Sequence, residues 1–364
     1  LYESLKNQLV EGIIRGVYEG GSALPTEQQL CEMHKVSRVT VRKALDELKK
    51  DGLVASVQGQ GTTVVDRRGG YPGPLDLIAL IAATHTPFFA EFMEHFEKAA
   101  ESNGSLVMFK QDFQGDAFRS ETLFYRLVKM RIRNAVFWPQ TDRIDFALLR
   151  RLRTVGMNMV MFDQVFETET ADVVSVDHED AVSALVRDLR EQGAGNLVFI
   201  GFQGSGLPSE RLREKSFRAL AAPGDRVATI PWGREVEPEI TRLVASLRDE
   251  GLLGGASPGA GAPAGAAGST GAVGLIGCNG PVGLAAAKAV RALGLEGACR
   301  LAAIDLLPEM EEYGMTAYRQ PMKELAETAY RRLIAQSNEG EHWRARVVLL
   351  RGEVVRFRKH HPTW

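Results

Sequence analysis

Residues 24–30 read Leu-Pro-Thr-Glu-Gln-Gln-Leu, and residues 36–45 read Val-Ser-Arg-Val-Thr-Val-Arg-Lys-Ala-Leu. Each stretch opens on a hydroxyl residue placed to cap a helix. Thr26 stands three positions before Gln29, the spacing of a capping box. Ser37 precedes a run in which Val41, Ala44, Leu45 and Leu48 fall on one helical face. Lys35-Val36-Ser37 interrupts the first helix, and Asp51-Gly52 ends the second with glycine just past the cap. Two helices joined by a tight turn are therefore expected.

Upstream, Leu5, Leu9, Ile13 and Val17 recur at i+4 and predict one apolar stripe, with Gly20-Gly21 stopping the helix. Downstream, residues 53–57 and 62–65 are β-type runs joined by Gln58-Gly59-Gln60-Gly61, the pattern of a hairpin. Helix, helix, turn, helix, hairpin is the order of a winged helix-turn-helix. The whole chain carries a net charge of only −2, yet Met33 to Leu45 holds Lys35, Arg38, Arg42 and Lys43 and no acid. A locally basic face is enough for DNA, because phosphate neutralisation depends on where the cations sit.

This head, residues 1–66, resembles the GntR-type winged helix through 24–30, 36–45, Gly52-Leu53-Val54 and Gly59-Gln60-Gly61-Thr62. The resemblance implies DNA contacts from Gln28, Ser37, Arg38, Thr40 and Arg42, and a wing tip at Gln58 and Gly59 that enters the minor groove. Short polar and cationic side chains suit the first turn of a recognition helix, where base edges and phosphates approach. Gln58 and Gln60 stand where a basic residue is common in the family, which weakens the expected wing contact. One head reads a short half-site, so a homodimer on a palindromic double-stranded operator is expected.

Residues 67–75 are rich in Gly and Pro and read as a linker. From residue 76 to 364, apolar runs alternate with amphipathic stretches, the signature of doubly wound parallel sheets. There are too many such units for one sheet, so an α/β body of two lobes with a cleft is expected. Residues 254–271 are nearly all Gly, Ala, Ser and Pro and read as a flexible insertion.

This body resembles the LacI/GalR effector domain, itself like periplasmic sugar-binding proteins, and the whole is similar to the arabinose-repressor subgroup. The likeness rests on Thr84-His85-Thr86-Pro87-Phe88-Phe89, on 209–217 around Arg213, on Cys278-Asn279-Gly280, on Ile304-Asp305 and on 315–321 ending Gln320-Pro321. It departs at Ser216, where glycine is usual, and at Gly280, which replaces an acid. Ligands of open α/β sheets bind beyond the carboxyl ends of the strands. Candidate effector contacts there are His85, Phe88, Phe89, Asp163, Asp177, Arg213, Asn279 and Asp305, since sugars need paired hydrogen bonds and an aromatic face. Asp177 is equally readable as a helix cap, and one of Phe88 and Phe89 as core.

The implied function is an allosteric DNA-binding regulator, a repressor, controlled by a small molecule of the sugar class. The alternatives are a degenerate cleft kept only for dimerisation, or a fused enzyme such as a pyridoxal-phosphate aminotransferase. No H-E-x-x-H or P-loop pattern occurs, and no catalytic residue, metal or cofactor is expected. Cys31, Cys278 and Cys299 are odd in number and far apart, which points to reduced thiols in a cytoplasm. No apolar run of membrane length occurs.

Overall fold

The computed structural model describes all residues except 60, 67–68, 83–86, 112–120, 140–143, 254–270 and 358–364. His85 and nearly all of the Gly/Ala-rich insertion therefore lie outside the described residues. The chain packs into two compact units, Leu1–Ser175 with Met322–Val348 and Val176–Pro321 with Leu349–Trp364.

The first unit begins with α1 (Tyr2–Ile14), α2 (Glu27–His34) and α3 (Arg38–Lys50), then the hairpin β1 (Val54–Val57) and β2 (Gly61–Val64). Leu5, Leu9, Val10, Ile13 and Ile14 bury the inner face of α1. Val17 was expected on that stripe but is 68% exposed. Gly16 takes a left-handed φ of 76° and ends the helix, so Val17 leaves the face that spacing assigned it. Thr26 completes its capping box with Gln29, and Lys35 takes a φ of 52° to make the tight turn.

A six-stranded sheet follows in the order β13-β7-β6-β5-β3-β4. Its strands are β3 (Leu77–Ala82), β4 (Leu106–Gln111), β5 (Asn134–Trp138), β6 (Asn158–Phe162), β7 (Asp172–Val176) and the late β13 (Val347–Leu350). The pairs among β3 to β7 are parallel. β5, β6 and β7 are buried throughout, which is why 135–138 and 159–162 read as continuous apolar runs and only Ser175 interrupts 173–176. Helices α4 (Pro87–Glu101), α5 (Glu121–Lys129) and α6 (Phe146–Thr154) connect the early strands, and α11 (Met322–Glu339) arrives late in the chain.

The second unit holds α7 (His178–Glu191), β8 (Ala194–Gln203), α8 (Pro208–Leu220), β9 (Arg226–Pro231), α9 (Val236–Asp249), β10 (Ala272–Gly277), α10 (Gly280–Ala292), β11 (Cys299–Ile304), β12 (Thr316–Arg319) and β14 (Glu353–Arg356). Its sheet runs β14-β12-β11-β10-β8-β9, parallel except for the antiparallel β12–β14 edge. A three-helix head with a hairpin, followed in the chain by two mostly parallel sheets, matches the expected fold class.

From Gly69 on, the Gly/Pro segment is held against the first unit. Gly70 N–H donates to Gly340 O at 2.6 Å, Tyr71 N–H to Asn158 Oδ1 at 2.8 Å, and Ser337 Oγ to Gly73 O at 2.7 Å. A Cβ on Gly70 would lie 1.8 Å from Gln336 O, so only glycine lets the backbones meet this closely. Beneath it runs a buried polar network. Asp172 accepts from Arg332 at 3.1 Å, Gln336 at 2.7 Å, Trp343 at 3.1 Å and the Arg346 N–H at 2.8 Å. Arg153 donates to Gln336 Oε1 at 2.8 Å and Asn158 Oδ1 at 3.2 Å, and lies over the Trp343 ring. Burial pulls the Arg153 guanidinium down from its ordinary value, with Asp172 opposing that shift.

Candidate functional site

The N-cap and first five residues of α3 carry Ser37, Arg38, Thr40 and Arg42. Ser37 Oγ accepts the Thr40 N–H at 3.3 Å and lies 3.0 Å from Thr40 Oγ1, so the two hydroxyls cap the helix together. Arg38 is exposed. Arg42 is exposed too, but its Nε donates to Glu27 Oε2 at 2.9 Å across the helix-turn-helix. Spacing along one helix gave no sign of that partner. A surface pair of this kind is worth at most about 1 kcal/mol, so a phosphate can replace the carboxylate. Gln28 lies exposed on α2 and donates to Glu32 at 3.2 Å. Gln58 and Gly59 are exposed in the hairpin turn, where Gly59 and Gly61 have φ of 79° and 82°. Val39, missed as a surface residue, is 77% exposed beside Arg38. Its exposure follows from Val41, Ala44 and Leu45 claiming the inner face.

At the carboxyl ends of the first unit's strands, Phe88 is half-buried, with its ring 5.4 Å from Trp138 and 6.0 Å from Phe162. Phe89 is fully buried between Trp138 and Phe109. Asp163 follows β6 with φ 69° and accepts from Trp138 Nε1 at 3.0 Å and Gln164 Nε2 at 2.8 Å. Trp138 was not foreseen, although an aromatic closing an apolar strand is a readable signal.

In the second unit, Asp177 caps α7 by accepting the Asp180 N–H at 3.0 Å, and Asn279 caps α10 by accepting the Val282 N–H at 3.0 Å. Arg213 is 5% exposed; it donates to His178 Nδ1 at 3.2 Å and to Cys278 O at 2.8 Å, with Glu210 at 3.9 Å. Burial, followed by the Glu210 charge, pushes the Cys278 thiol well above its ordinary value. Asp305 follows β11 with φ 79°, accepts the Gly280 N–H at 3.2 Å and is gripped by the Gln320 amide. A Cβ on Gly280 would sit 3.0 Å from the Leu307 side chain and 3.3 Å from Asp305 Cβ, so an acid there would be crowded. The site thus resolves into Arg213 with His178, Glu210 and Cys278, and Asp305 with Gly280 and Gln320. His178, Glu210 and Gln320 were not among the expected contacts. Among the described residues no His/Cys/Asp/Glu group is arranged to hold a metal.

Residues 1–64 match the family model of bacterial regulatory proteins of the gntR family, and residues 186–356 match that of the periplasmic binding protein-like domain. The head is 41% identical over 68 residues to a probable fructoselysine utilization operon transcriptional repressor of Escherichia coli, covering 19% of this chain and 28% of that protein. It is 40% identical over 63 residues to the arabinose metabolism transcriptional repressor of Geobacillus stearothermophilus, covering 17% of each. The chain thus spans less than a third of the length of these relatives. The lac repressor dimer bound to operator and the anti-inducer ONPF superposes with a TM-score of 0.60 at 17% identity, over 79% of this chain and 94% of that one, a likeness of fold. The chain thus joins a GntR-type helix-turn-helix over residues 1–64 to a periplasmic-binding-protein-like domain over residues 186–356.

Proposed function

We propose that the protein is a transcription regulator, a repressor, that binds a double-stranded operator through its head and releases it under control of a sugar-class effector. One observation carries this reading. The exposed Arg38 and Arg42 stand on the same chain as two mostly parallel sheets whose carboxyl ends present aromatic and carboxylate side chains. The relatives' names, repressors of fructoselysine and arabinose utilisation, favour a carbohydrate effector. Residues 1–66 act as the DNA-reading module and 76–364 as the sensing part. It works as a homodimer in the cytoplasm, and as a binding protein rather than an enzyme. No described helix is long and apolar enough to cross a membrane.

Phe88, half-buried with its ring stacked on Phe162, offers an aromatic face for a sugar ring, and Asp163 offers a carboxylate in the same unit, as Asp305 does in the second unit. A ligand moves the equilibrium only by its differential affinity for the two states. A second reading is favoured by the caps. Asp177 and Asn279 spend side-chain oxygens on helix N-termini, and Arg213 is buried on His178 and Cys278. In that reading the sensing part is degenerate and serves only dimerisation. Thermal unfolding against mono- and disaccharides, sugar acids and sugar phosphates tests the choice. A ligand at a hundredfold its Kd adds about 2.7 kcal/mol, a shift of several degrees. A hit that also releases operator DNA supports the sensor, and a flat panel supports the degenerate reading.

A further inference from the structure

Where the head meets the first sheet, two adjoining cavities of about 300 and 250 Å³ share Asp51, Arg131 and Arg133 in their walls. Both arginines lie in the turn between α5 and β5, Arg131 with a left-handed φ of 61°. Arg133 Nη1 is buried and meets no protein acceptor. A guanidinium N–H in that state bears the full loss of hydration with nothing in return. Burial pulls the Arg133 guanidinium down, Arg131 adds like charge, and Tyr71 and Asp51 oppose them. Lys6 and Lys129 bring the cations of the second cavity's wall to four. The acids nearby are Glu3, Asp51 and Asp76, and Asp51 is already paired with Lys6 at 2.5 Å.

We propose that this seam is a second ligand site, taking a small phosphate-bearing anion on Arg131 and Arg133. Guanidinium forks match phosphate oxygens two at a time, and a small shift of the cavity wall lets such an anion supply the acceptor that the buried Arg133 Nη1 lacks. The seam lies at the amino ends of β5 and β6, marked by Asn134 and Asn158, whereas Trp138 and Asp163 stand at the carboxyl ends. It is therefore separate from the sugar site proposed above. Cavities of this size admit a phosphorylated metabolite but not a duplex. The anion would touch α1, the C-terminal cap of α3, residues 71–76 and the sheet at once, so it would fix the DNA-reading helices against the sheet. By linkage it and the operator change each other's affinity by the same factor.

The test is calorimetric and thermal-shift titration of the full chain with inorganic phosphate and pyrophosphate at constant ionic strength. The expected result is saturable binding that Arg131→Gln and Arg133→Gln each weaken at least tenfold. Arg234→Gln, at an exposed cation elsewhere, leaves it unchanged. Arg131 is exposed, so its variant reports even if Arg133→Gln does not fold. The proposal falls if phosphate gives no saturable effect, or if all three variants respond alike. It also falls if only a non-specific duplex, and not the free anion, depends on Arg131.

Discussion

Asp163 and Asp305 hold the same post in their own sheets. Each is the first residue past a central strand, each has a left-handed φ, and each donates its N–H to the neighbouring strand: Asp163 to Val174 O at 3.0 Å, Asp305 to Tyr318 O at 3.1 Å. A glutamine amide grips each carboxylate, Gln164 on one and Gln320 on the other. Aspartate tolerates this backbone better than most residues but is still strained in it, and strain of that kind clusters at ligand clamps.

Asp305→Asn keeps the shape and the tolerance for positive φ while removing the charge. The unfolding midpoint should stay within a few degrees of the parent. Effector affinity should fall about tenfold, roughly 1.4 kcal/mol, read as the ligand concentration needed for half-maximal operator release. An unchanged concentration would take Asp305 out of the effector site.

Arg38→Ala should weaken operator binding by about 1–3 kcal/mol if the guanidinium reads a base. Glu27→Gln should act in the opposite direction. It frees Arg42 from its 2.9 Å partner, so affinity rises and the log–log salt slope steepens by about 0.9 for one added phosphate contact. Fluorescence anisotropy on an operator duplex across a salt series measures both.

Asp172→Asn removes the carboxylate on which Arg332, Gln336, Trp343 and the Arg346 N–H converge, at a residue with no exposed surface. Leaving buried cations without their counter-charge costs about 3–5 kcal/mol. Urea unfolding should show a lower midpoint with an unchanged slope. A loss under about 1 kcal/mol would mean that the network adds little to the fold.

Cys278 should stay a neutral thiol, since burial raises its pKa. An unfolded thiol ionises near pH 8.5, so above that pH the unfolded chain holds fewer protons than the folded one. Stability should then fall with rising pH by up to about 1.4 kcal/mol per unit from this group, and Cys278→Ala should remove that part of the slope. In the folded protein a thiol reagent should modify half-buried Cys31 first and buried Cys278 and Cys299 only on unfolding.

Local signals proved legible where the cause was local. The Thr26–Gln29 capping box, Ser37 as the α3 cap and the glycines of the hairpin turn were readable because each acts within a few residues. The near-continuous apolar runs of the buried strands pointed to parallel sheets for the same reason. What spacing could not supply was contact between distant segments. Arg42 finds Glu27 fifteen positions away, Arg153 meets Gln336 from the other end of the chain, and His178 meets Arg213 from another helix. Asp177 and Asn279 show the converse: a polar residue after a strand serves equally as cap and as ligand contact, and the sequence cannot weigh the two. Gly69 and Gly70 carry a similar lesson, because the composition that suggests slack is also what close backbone packing demands.

The late arrival of α11 bears on how the protein is made. Leu325, Ala326, Ala329, Tyr330 and Leu333 bury the inner face of this helix, and its Gln336 completes the hydrogen bonds of Arg153 and Asp172. Yet residues 322–348 leave the ribosome only after all of 176–321. At synthesis rates of about 5–20 residues per second, the first sheet waits roughly 10–30 s with one flank uncovered and its polar network unpartnered. A nascent chain stalled before Met322 would present that flank to chaperones and proteases. A truncated product ending there would be degraded rather than persist as a free DNA-binding fragment.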